Sequence, residues 1–294
     1  MVINSSIKRS LSILIILGFF ASLMGGCMRF ALRMTPSLFP NFTSTIFEEC
    51  DPELAKEAIP SNLKLLEGLL KNDPQNKQIL TALTLGFTGY SMLFVEDDDT
   101  ERASRLYNRA RDYGIKALGE KGALLKKPGF SREQVLSVLR SMDTNDLETL
   151  LWTTVAWSAW INLNLDQPAA LAQLGVSQAC IERVMELDGD YFYGLPYILM
   201  GVSLAARPPM LGGDPNRAKT YFQKALELNH RKFMLTQYYC ARFYSVRIQN
   251  KKLFLELLDE IAQKKPQDLK DVCLINIMIQ DKAKKLKNRS EDLF

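Results

Sequence analysis

The chain has 294 residues, and 37 lysines and arginines stand against 33 aspartates and glutamates, so the formal net charge is only +4. Nucleic-acid binding relies on a concentrated basic surface, and a charge this close to balance leads us to expect no nucleic-acid partner. The length allows one large domain or one array of repeats with a sizeable core.

The first part of the chain carries the pattern of an export signal. Two basic residues precede an apolar run over residues 11–23, and a pair of glycines then leads to Cys27. The run is shorter than the roughly 20 residues that span a bilayer as a helix, which favours a cleaved secretory signal. The segment ending at Cys27 resembles the lipobox of bacterial lipoproteins, whose cysteine is acylated and becomes the first mature residue. We therefore predict a lipoprotein signal peptide over residues 1–26, lipidation at Cys27, and anchoring of the protein in the bacterial periplasm to the inner or the outer membrane. An uncleaved membrane anchor is the alternative.

The remaining sequence has the spacing of helices, with apolar residues at intervals of three and four and little β-branched alternation. Four pairs of segments fit the tetratricopeptide repeat (TPR), a pair of helices in which small residues allow a close approach. The predicted fold class is all-α, with TPR-like helix-pair repeats in a superhelical array with insertions. We expect residues 27–50 to form an N-terminal tether, 51–265 the TPR-like domain, and 266–294 a basic tail that is helical or frayed.

The two helices of each pair carry different packing positions. The first-helix positions are Ala82, Leu85, Gly86 and Gly89; Trp152, Val155, Ala156 and Ala159; Tyr197, Met200, Gly201 and Leu204; and Gln237, Cys240, Ala241 and Tyr244. The second-helix positions are Ala103, Tyr107 and Ala110; Ser177, Ile181 and Val184; Ala218, Phe222 and Ala225; and Phe254, Leu258 and Ile261. An insertion of about thirty residues separates the first two pairs, and it includes a short helix at 131–141 with a capping box of Ser131 and Gln134.

Residues that commonly carry chemistry are scarce. The single histidine, His230, lies at an apparent helix end, and no GxSxG, P-loop, HExxH or CxxC motif occurs. We therefore expect no enzyme, no metal and no cofactor. The acidic run at 96–99 is interpreted as the cap of a helix that starts near Thr100, with cation binding as the alternative.

The cysteines beyond Cys27 are far apart in sequence, so their spacing selects no disulfide among Cys50, Cys180, Cys240 and Cys273. Near the C-terminus, basic residues are concentrated over residues 282–289. We interpret this run as a solvated end, and attraction to anionic lipid is the alternative.

Three of the predicted first helices are almost free of charge. No charged side chain occurs in residues 78–95, 149–165 or 191–206. Such helices either bury both faces or enclose an apolar space, and in TPR arrays the first helices line the concave side. We therefore expect a channel for an apolar ligand, with a polar mouth at Arg242, unless the N-terminal segment and the insertions fill the concavity. Phe87, Tyr90, Trp157, Trp160 and Ile198 are predicted to border one continuous cavity. The full set of channel candidates is Leu83, Phe87, Tyr90, Leu150, Trp157, Trp160, Leu195, Ile198, Val202 and Arg242.

Three stretches, at residues 94–113, 188–191 and 207–215, resemble the T component of tripartite ATP-independent periplasmic (TRAP) transporters. The most specific is Arg207-Pro-Pro-Met-Leu-Gly-Gly-Asp-Pro215. The resemblance runs from about residue 47 to 263 and leaves the tail outside. It implies a lipid-anchored helical protein with a largely apolar channel that works beside an extracytoplasmic solute-binding protein and does no chemistry. It also implies self-association, with trimers as one form, and a small ligand of hydrophobic character.

A second interpretation is a TPR lipoprotein that acts as a scaffold for protein–protein interaction in envelope assembly. Peptide-binding arrays usually present charged and amide side chains that hold a peptide backbone. The aromatic and aliphatic candidates in this chain favour the ligand-binding interpretation.

Overall fold

A computed structural model describes residues 38–127 and 129–294, with side chains described from Thr43 onwards. The predicted signal peptide, Cys27 and the first part of the predicted tether lie outside the described residues. Within those residues the regular secondary structure is helical and no strand occurs, which confirms the all-α prediction. None of the described helices combines the length and the apolar character needed to cross a membrane.

The α-helices are numbered in chain order. They are α1 (Leu38–Glu48), α2 (Pro52–Leu70), α3 (Lys77–Phe94), α4 (Thr100–Ala117), α5 (Gly119–Leu125), α6 (Arg132–Arg140), α7 (Leu147–Leu163), α8 (Pro168–Leu171), α9 (Leu174–Asp188), α10 (Tyr191–Ala206), α11 (Pro215–Leu228), α12 (Leu235–Tyr239), α13 (Lys251–Gln263), α14 (Cys273–Asn288) and α15 (Ser290–Leu293). A π-helix continues α12 over Cys240–Ser245, and 3-10 turns occur at Pro209–Leu211 and Pro266–Val272.

Polar side chains decide where several of these helices begin. Asp99 accepts a hydrogen bond from the backbone N–H of Arg102 at the start of α4, as predicted for the acidic run. At α6, Ser131 and Gln134 form the predicted reciprocal capping box. Asp214 caps α11, and Pro215 takes the first helical position, where its missing N–H costs nothing.

The predicted pairs pack as neighbours: α3 with α4, α7 with α9, α10 with α11, and the π-helix with α13. Helix α4 also packs against α7 and so lies between two first helices. The small residues mark close approaches, because a Cβ at Gly201 would lie 3.0 Å from the Phe222 ring. A Cβ at Gly86 would lie 2.6 Å from Leu63 Cδ2 of α2. The spacing of small and large residues therefore has the packing cause that the sequence predicted.

The two ends of the described chain are joined. A disulfide links Cys50, just after α1, to Cys273 at the start of α14, with a Cα–Cα distance of 5.4 Å. Helix α14 packs against α1, α2, α3 and α13, and it buries Leu274 and Ile279. The C-terminal segment is thus a helical part of the core.

The basic run at the C-terminus is not uniformly solvated, contrary to expectation. Lys282 is only 4% exposed and pairs with Asp97 at 2.6 Å. Lys285 and Lys287 are more exposed, and they pair with Asp281 and Asp259 respectively. Intramolecular carboxylates therefore neutralise much of the charge that a lipid surface would need.

Candidate functional site

A cavity of about 120 Å³ lies among α7, α10, α12 and the π-helix. Helix α7 contributes Trp152, Val155 and Ala159, and α10 contributes an aliphatic row. That row consists of Leu195, Leu199 and Val202. Because these residues recur at intervals of three and four, each helix turns one continuous face to the cavity. The wall is therefore mainly aliphatic and aromatic.

The start of α10 brings Phe192 into this wall. Phe192 and Tyr193 have positive φ angles of 48° and 60°, and Gly194 follows at 76°. A left-handed backbone is costly for residues other than glycine and persists only when the surroundings enforce it. Here the Phe192 ring packs edge-on to Trp152, with a centroid distance of 5.2 Å. The strained turn thus places an aromatic ring at the cavity, which helical spacing does not predict.

The Phe192 ring also contacts Phe47 from α1, at a centroid distance of 5.5 Å. Phe47 lies against Trp152 as well, and Ile275 of α14 lines the cavity. The N-terminal and C-terminal helices therefore fill part of the space between the helix pairs. Beside α10 and α12 the cavity remains open.

One polar cluster borders the cavity. The Tyr107 hydroxyl donates to Glu96 Oε2 at 2.6 Å, and Arg242 Nη1 donates to Glu96 Oε1 at 3.2 Å. Burial raises the pKa of Tyr107, and the Glu96 carboxylate raises it further. Burial alone would lower the pKa of Arg242, but nearby Tyr238 and Glu96 favour the charged form and raise it. Glu96 and Arg242 therefore form a fixed, mutually neutralising pair.

The π-helix positions the cationic side of this pair. Within this π-helix the Ser245 hydroxyl donates to the carbonyl of Cys240, five residues earlier, at 3.2 Å. Tyr239, Arg242 and Phe243 all line the cavity. Single π-turns inside helices are frequent at functional sites. The sequence pattern predicts Arg242 at the cavity but gives no sign of the π-turn.

Arg207 is the second cation of the lining, and it has a different environment. Its side chain follows the end of α10, the residue is 8% exposed, and Nη1 donates to Gln178 Oε1 at 3.2 Å. Gln178 Oε1 also accepts from the Ser203 hydroxyl at 2.6 Å. Arg207 Nε has no hydrogen-bond partner, and Arg207 forms no ion pair with any described residue. Burial lowers the pKa of Arg207 because no described carboxylate offsets it.

The loop at 207–215 holds Arg207 in place. A Cβ at Gly213 would lie 1.9 Å from the Arg207 carbonyl oxygen, so only glycine fits there. The Asp214 N–H donates to the Leu204 carbonyl at 3.0 Å and returns the chain to the end of α10. The loop between α10 and α11 therefore presents a buried guanidinium to the cavity.

The structure brings only some of the predicted channel residues together. Leu195, Val202 and Arg242 line the cavity. Tyr90 instead borders a separate apolar pocket of about 30 Å³ among α1, α2, α3 and α14. The other candidates do not line the main cavity; they are Leu83, Phe87, Leu150, Trp157, Trp160 and Ile198. The prediction of one continuous cavity bordered by Phe87, Tyr90, Trp157, Trp160 and Ile198 is therefore wrong.

The physical reason is the position of α4. Phe87 stacks on Tyr113 of α4, with a centroid distance of 5.9 Å. Trp157 Nε1 donates to Gln173 Oε1 at 2.7 Å, and the Arg111 guanidinium lies over both Trp157 and Trp160. Because α4 covers these faces of α3 and α7, α7 turns the face carrying Trp152 and Val155 to the cavity. Sequence reasoning assigned those two residues to packing and missed Glu96, Phe192 and Arg207 as lining residues.

The fold and the site together define an all-helical protein with a small, mainly apolar cavity. Residues 38–127 and 129–294 hold no cluster of side chains suited to a metal ion.

The model of the TRAP transporter T-component family matches residues 48–294, and the chain belongs to that family. This confirms the family that the sequence resemblance indicated. It also corrects the limit placed on the resemblance, because the match includes the C-terminal segment. The family is described as a component of a transporter and not as a family of enzymes.

An uncharacterised protein of Treponema pallidum (strain Nichols) is 24% identical over 280 residues. The aligned region covers 86% of this chain and 84% of the relative. The similarity therefore extends over nearly the whole of both proteins.

Proposed function

We propose that this T component is a lipid-anchored periplasmic accessory subunit of a TRAP transporter. It holds a small apolar ligand in the cavity among α7, α10 and α12 and exchanges it with an extracytoplasmic solute-binding protein. The observation that carries the proposal is the cavity, which is lined mainly by aliphatic and aromatic side chains and is bordered by a few fixed polar groups.

The size of the cavity limits what it can hold. An engineered apolar cavity of about 150 Å³ in another protein binds benzene, which is a useful comparison for the roughly 120 Å³ here. The ligand body is therefore about one ring or one short branched chain. Burial of such a group contributes about 25 cal/mol per Å² of apolar surface, so a charged anchor is not required for binding.

Two further features support the envelope location. The Cys50–Cys273 disulfide suits an exported protein, because disulfides persist in oxidising compartments. The lipobox-like sequence before Cys27 supports a lipid anchor. Mass spectrometry of protein purified from its host membranes tests the anchor. We expect loss of residues 1–26 and added acyl mass on Cys27, and retention of Met1 would contradict it.

We also propose that the four helix pairs form a TPR-like superhelical array that self-associates, with a trimer as one form. The support is the side-by-side packing of each predicted pair and the close contact at Gly201. Light scattering coupled to size-exclusion chromatography measures the oligomer number.

Filling the cavity tests the ligand function. Ala159 lies on the cavity wall and is only half-buried, so Ala159→Leu should occupy the space with little strain. We expect this variant to lose binding of fluorobenzene, measured by fluorine NMR, and to lose ligand-dependent capture of the solute-binding protein. Ala172→Leu, at an exposed position, is the matched control and should retain both.

The same assay distinguishes the ligand-holding function from the alternative of a protein scaffold. A scaffold would capture its protein partner equally well with a filled cavity. Unchanged capture by Ala159→Leu, together with no fluorobenzene binding by the wild type, would contradict the ligand function.

A further inference from the structure

Arg207 carries a buried charge that no carboxylate of the described residues neutralises. The residue is more than nine-tenths buried, its Nε has no hydrogen-bond partner among the described residues, and its side chain donates one described hydrogen bond, to the neutral Gln178. Burying a cation without a counter-charge is costly. An anion in the cavity would offset that cost.

The other cation of the lining shows the contrast. Arg242 is held by Glu96 at 3.2 Å, and its charge is therefore already compensated. Among the described residues, the lining contains both arginines but Glu96 as its only carboxylate, which leaves an excess of one positive charge. The excess lies at Arg207, at the end of the aliphatic row on α10.

The surroundings of Arg207 favour a ligand with one charged end. Ser203 and Asn162 add polar groups to the lining, and Ser203 donates to the same Gln178 oxygen as Arg207, while Leu199 and Val202 continue the apolar wall along α10. A planar guanidinium matches the two oxygens of a carboxylate, and hydrogen bonds between charged groups are stronger than neutral ones. The cavity of about 120 Å³ has room for a body of roughly one ring.

We propose that Arg207 binds the carboxylate of a small monocarboxylic acid whose apolar body occupies the cavity between α7 and α10. This inference rests on the proposed ligand-holding function and specifies its ligand class. It also gives the Arg207–Pro215 segment a role in recognition, since Gly213 and Asp214 hold the backbone from which Arg207 projects.

Three probes of similar shape test the proposal: 4-fluorobenzoate, 4-fluorobenzamide and fluorobenzene. Binding to the full chain in lipid nanodiscs is measured by fluorine NMR, with empty nanodiscs as the blank. We expect the carboxylate to bind about ten to a hundred times more tightly than the amide, the range for a charge-assisted hydrogen bond.

Variants then assign the preference to Arg207. Arg207→Gln should remove the preference for the carboxylate and keep fluorobenzene binding, and Arg207→Lys should retain part of the preference. Arg217→Gln changes an exposed arginine on α11 and should leave all three affinities unchanged.

The outcomes distinguish this inference from the proposed function. Equal binding of carboxylate and amide, or a preference that persists in Arg207→Gln, overturns the anchor while fluorobenzene binding leaves the cavity function standing. Failure of all three probes with the wild type overturns both. If Arg207→Gln does not fold, a crystal structure of the wild type with 4-bromobenzoate decides. The carboxylate must then lie within hydrogen-bond distance of the Arg207 guanidinium, and any other position contradicts the proposal.

Discussion

The first helices α3 and α7 bury most of their predicted channel residues, whereas α10 and the π-helix keep three of theirs beside the cavity. The spacing of apolar residues is similar in all these helices, but the helices that pack against them differ. Helix α4 packs against both α3 and α7, so Phe87 and Trp157 meet α4 or its neighbours instead of open space. Uncharged helices therefore indicate burial, and the element that covers them decides whether a face becomes core or cavity.

Two of the three tryptophans of α7, Trp157 and Trp152, test this comparison most strongly. Trp157 is 1% exposed, packs in the covered region, and donates to Gln173. Trp157→Ala should lower the free energy of unfolding by about 3–5 kcal/mol. Trp152 lines the cavity, so part of its side chain has no packed neighbour to lose on truncation, and Trp152→Ala should cost less. Denaturant unfolding of both variants measures the difference. A larger loss for Trp152→Ala would reverse our assignment of core and cavity faces.

Removal of the disulfide tests how much the link between Cys50 and Cys273 stabilises the fold. The Cys50–Cys273 bond spans a sequence separation of 223 residues and joins α1 to α14. The double variant Cys50→Ser/Cys273→Ser should lose about 2–5 kcal/mol of stability, measured by denaturant titration. Reductant should destabilise the wild type and leave the double variant unchanged. A wild type that does not respond to reductant would show that the bond contributes nothing measurable.

Close packing within a pair is tested at Gly201. Leucine there must displace the Phe222 ring, because a Cβ alone would lie 3.0 Å from it. We expect Gly201→Leu to cost roughly 1–3 kcal/mol. Gly68→Leu is the matched control on α2, where a Cβ would meet nothing within 4 Å, and it should be neutral or slightly stabilising. Equal melting temperatures for the two variants would mean that the α10–α11 contact is misassigned.

The smallest expected effect is the contribution of ionised Glu260 to stability near α12, where Gln237 donates a hydrogen bond to it. Burial alone would raise the pKa of Glu260, but hydrogen bonds from Arg231, Lys264 and Gln237 lower it from 4.5 to about 2. A pKa lowered in the folded state stabilises the protein above pH 4.5, and the contribution is lost as the pH falls towards 2. Because the pair is partly solvated, the contribution is below about 1 kcal/mol.

Comparison of Glu260→Gln with the wild type measures this contribution. The difference in unfolding free energy should be present at neutral pH and should shrink between pH 4.5 and 2. Glu256→Gln, at a position whose side chain is 59% exposed, should show little difference at any pH. A constant difference for Glu260→Gln would assign its effect to packing instead of charge.

Local sequence determined where several helices begin, which helices form pairs and which family the chain resembles. Asp99 and Ser131 begin their helices as predicted, because a cap needs only a side-chain oxygen a few residues from free N–H groups. Small residues at regular spacing predicted which helices form pairs, and the 207–215 segment pointed to the family. These features depend on short-range geometry, which the order of residues specifies directly.

Tertiary structure decided which helix faces line the cavity. The position of α4, the left-handed turn at Phe192 and the return of α14 to Cys50 bring together residues that are distant in sequence. The Glu96–Arg242 pair joins positions 146 residues apart, and it leaves Arg207 as the uncompensated charge. Helical periodicity specifies the angle of a side chain about its own helix, and only the packed neighbours decide whether that angle meets protein or open space.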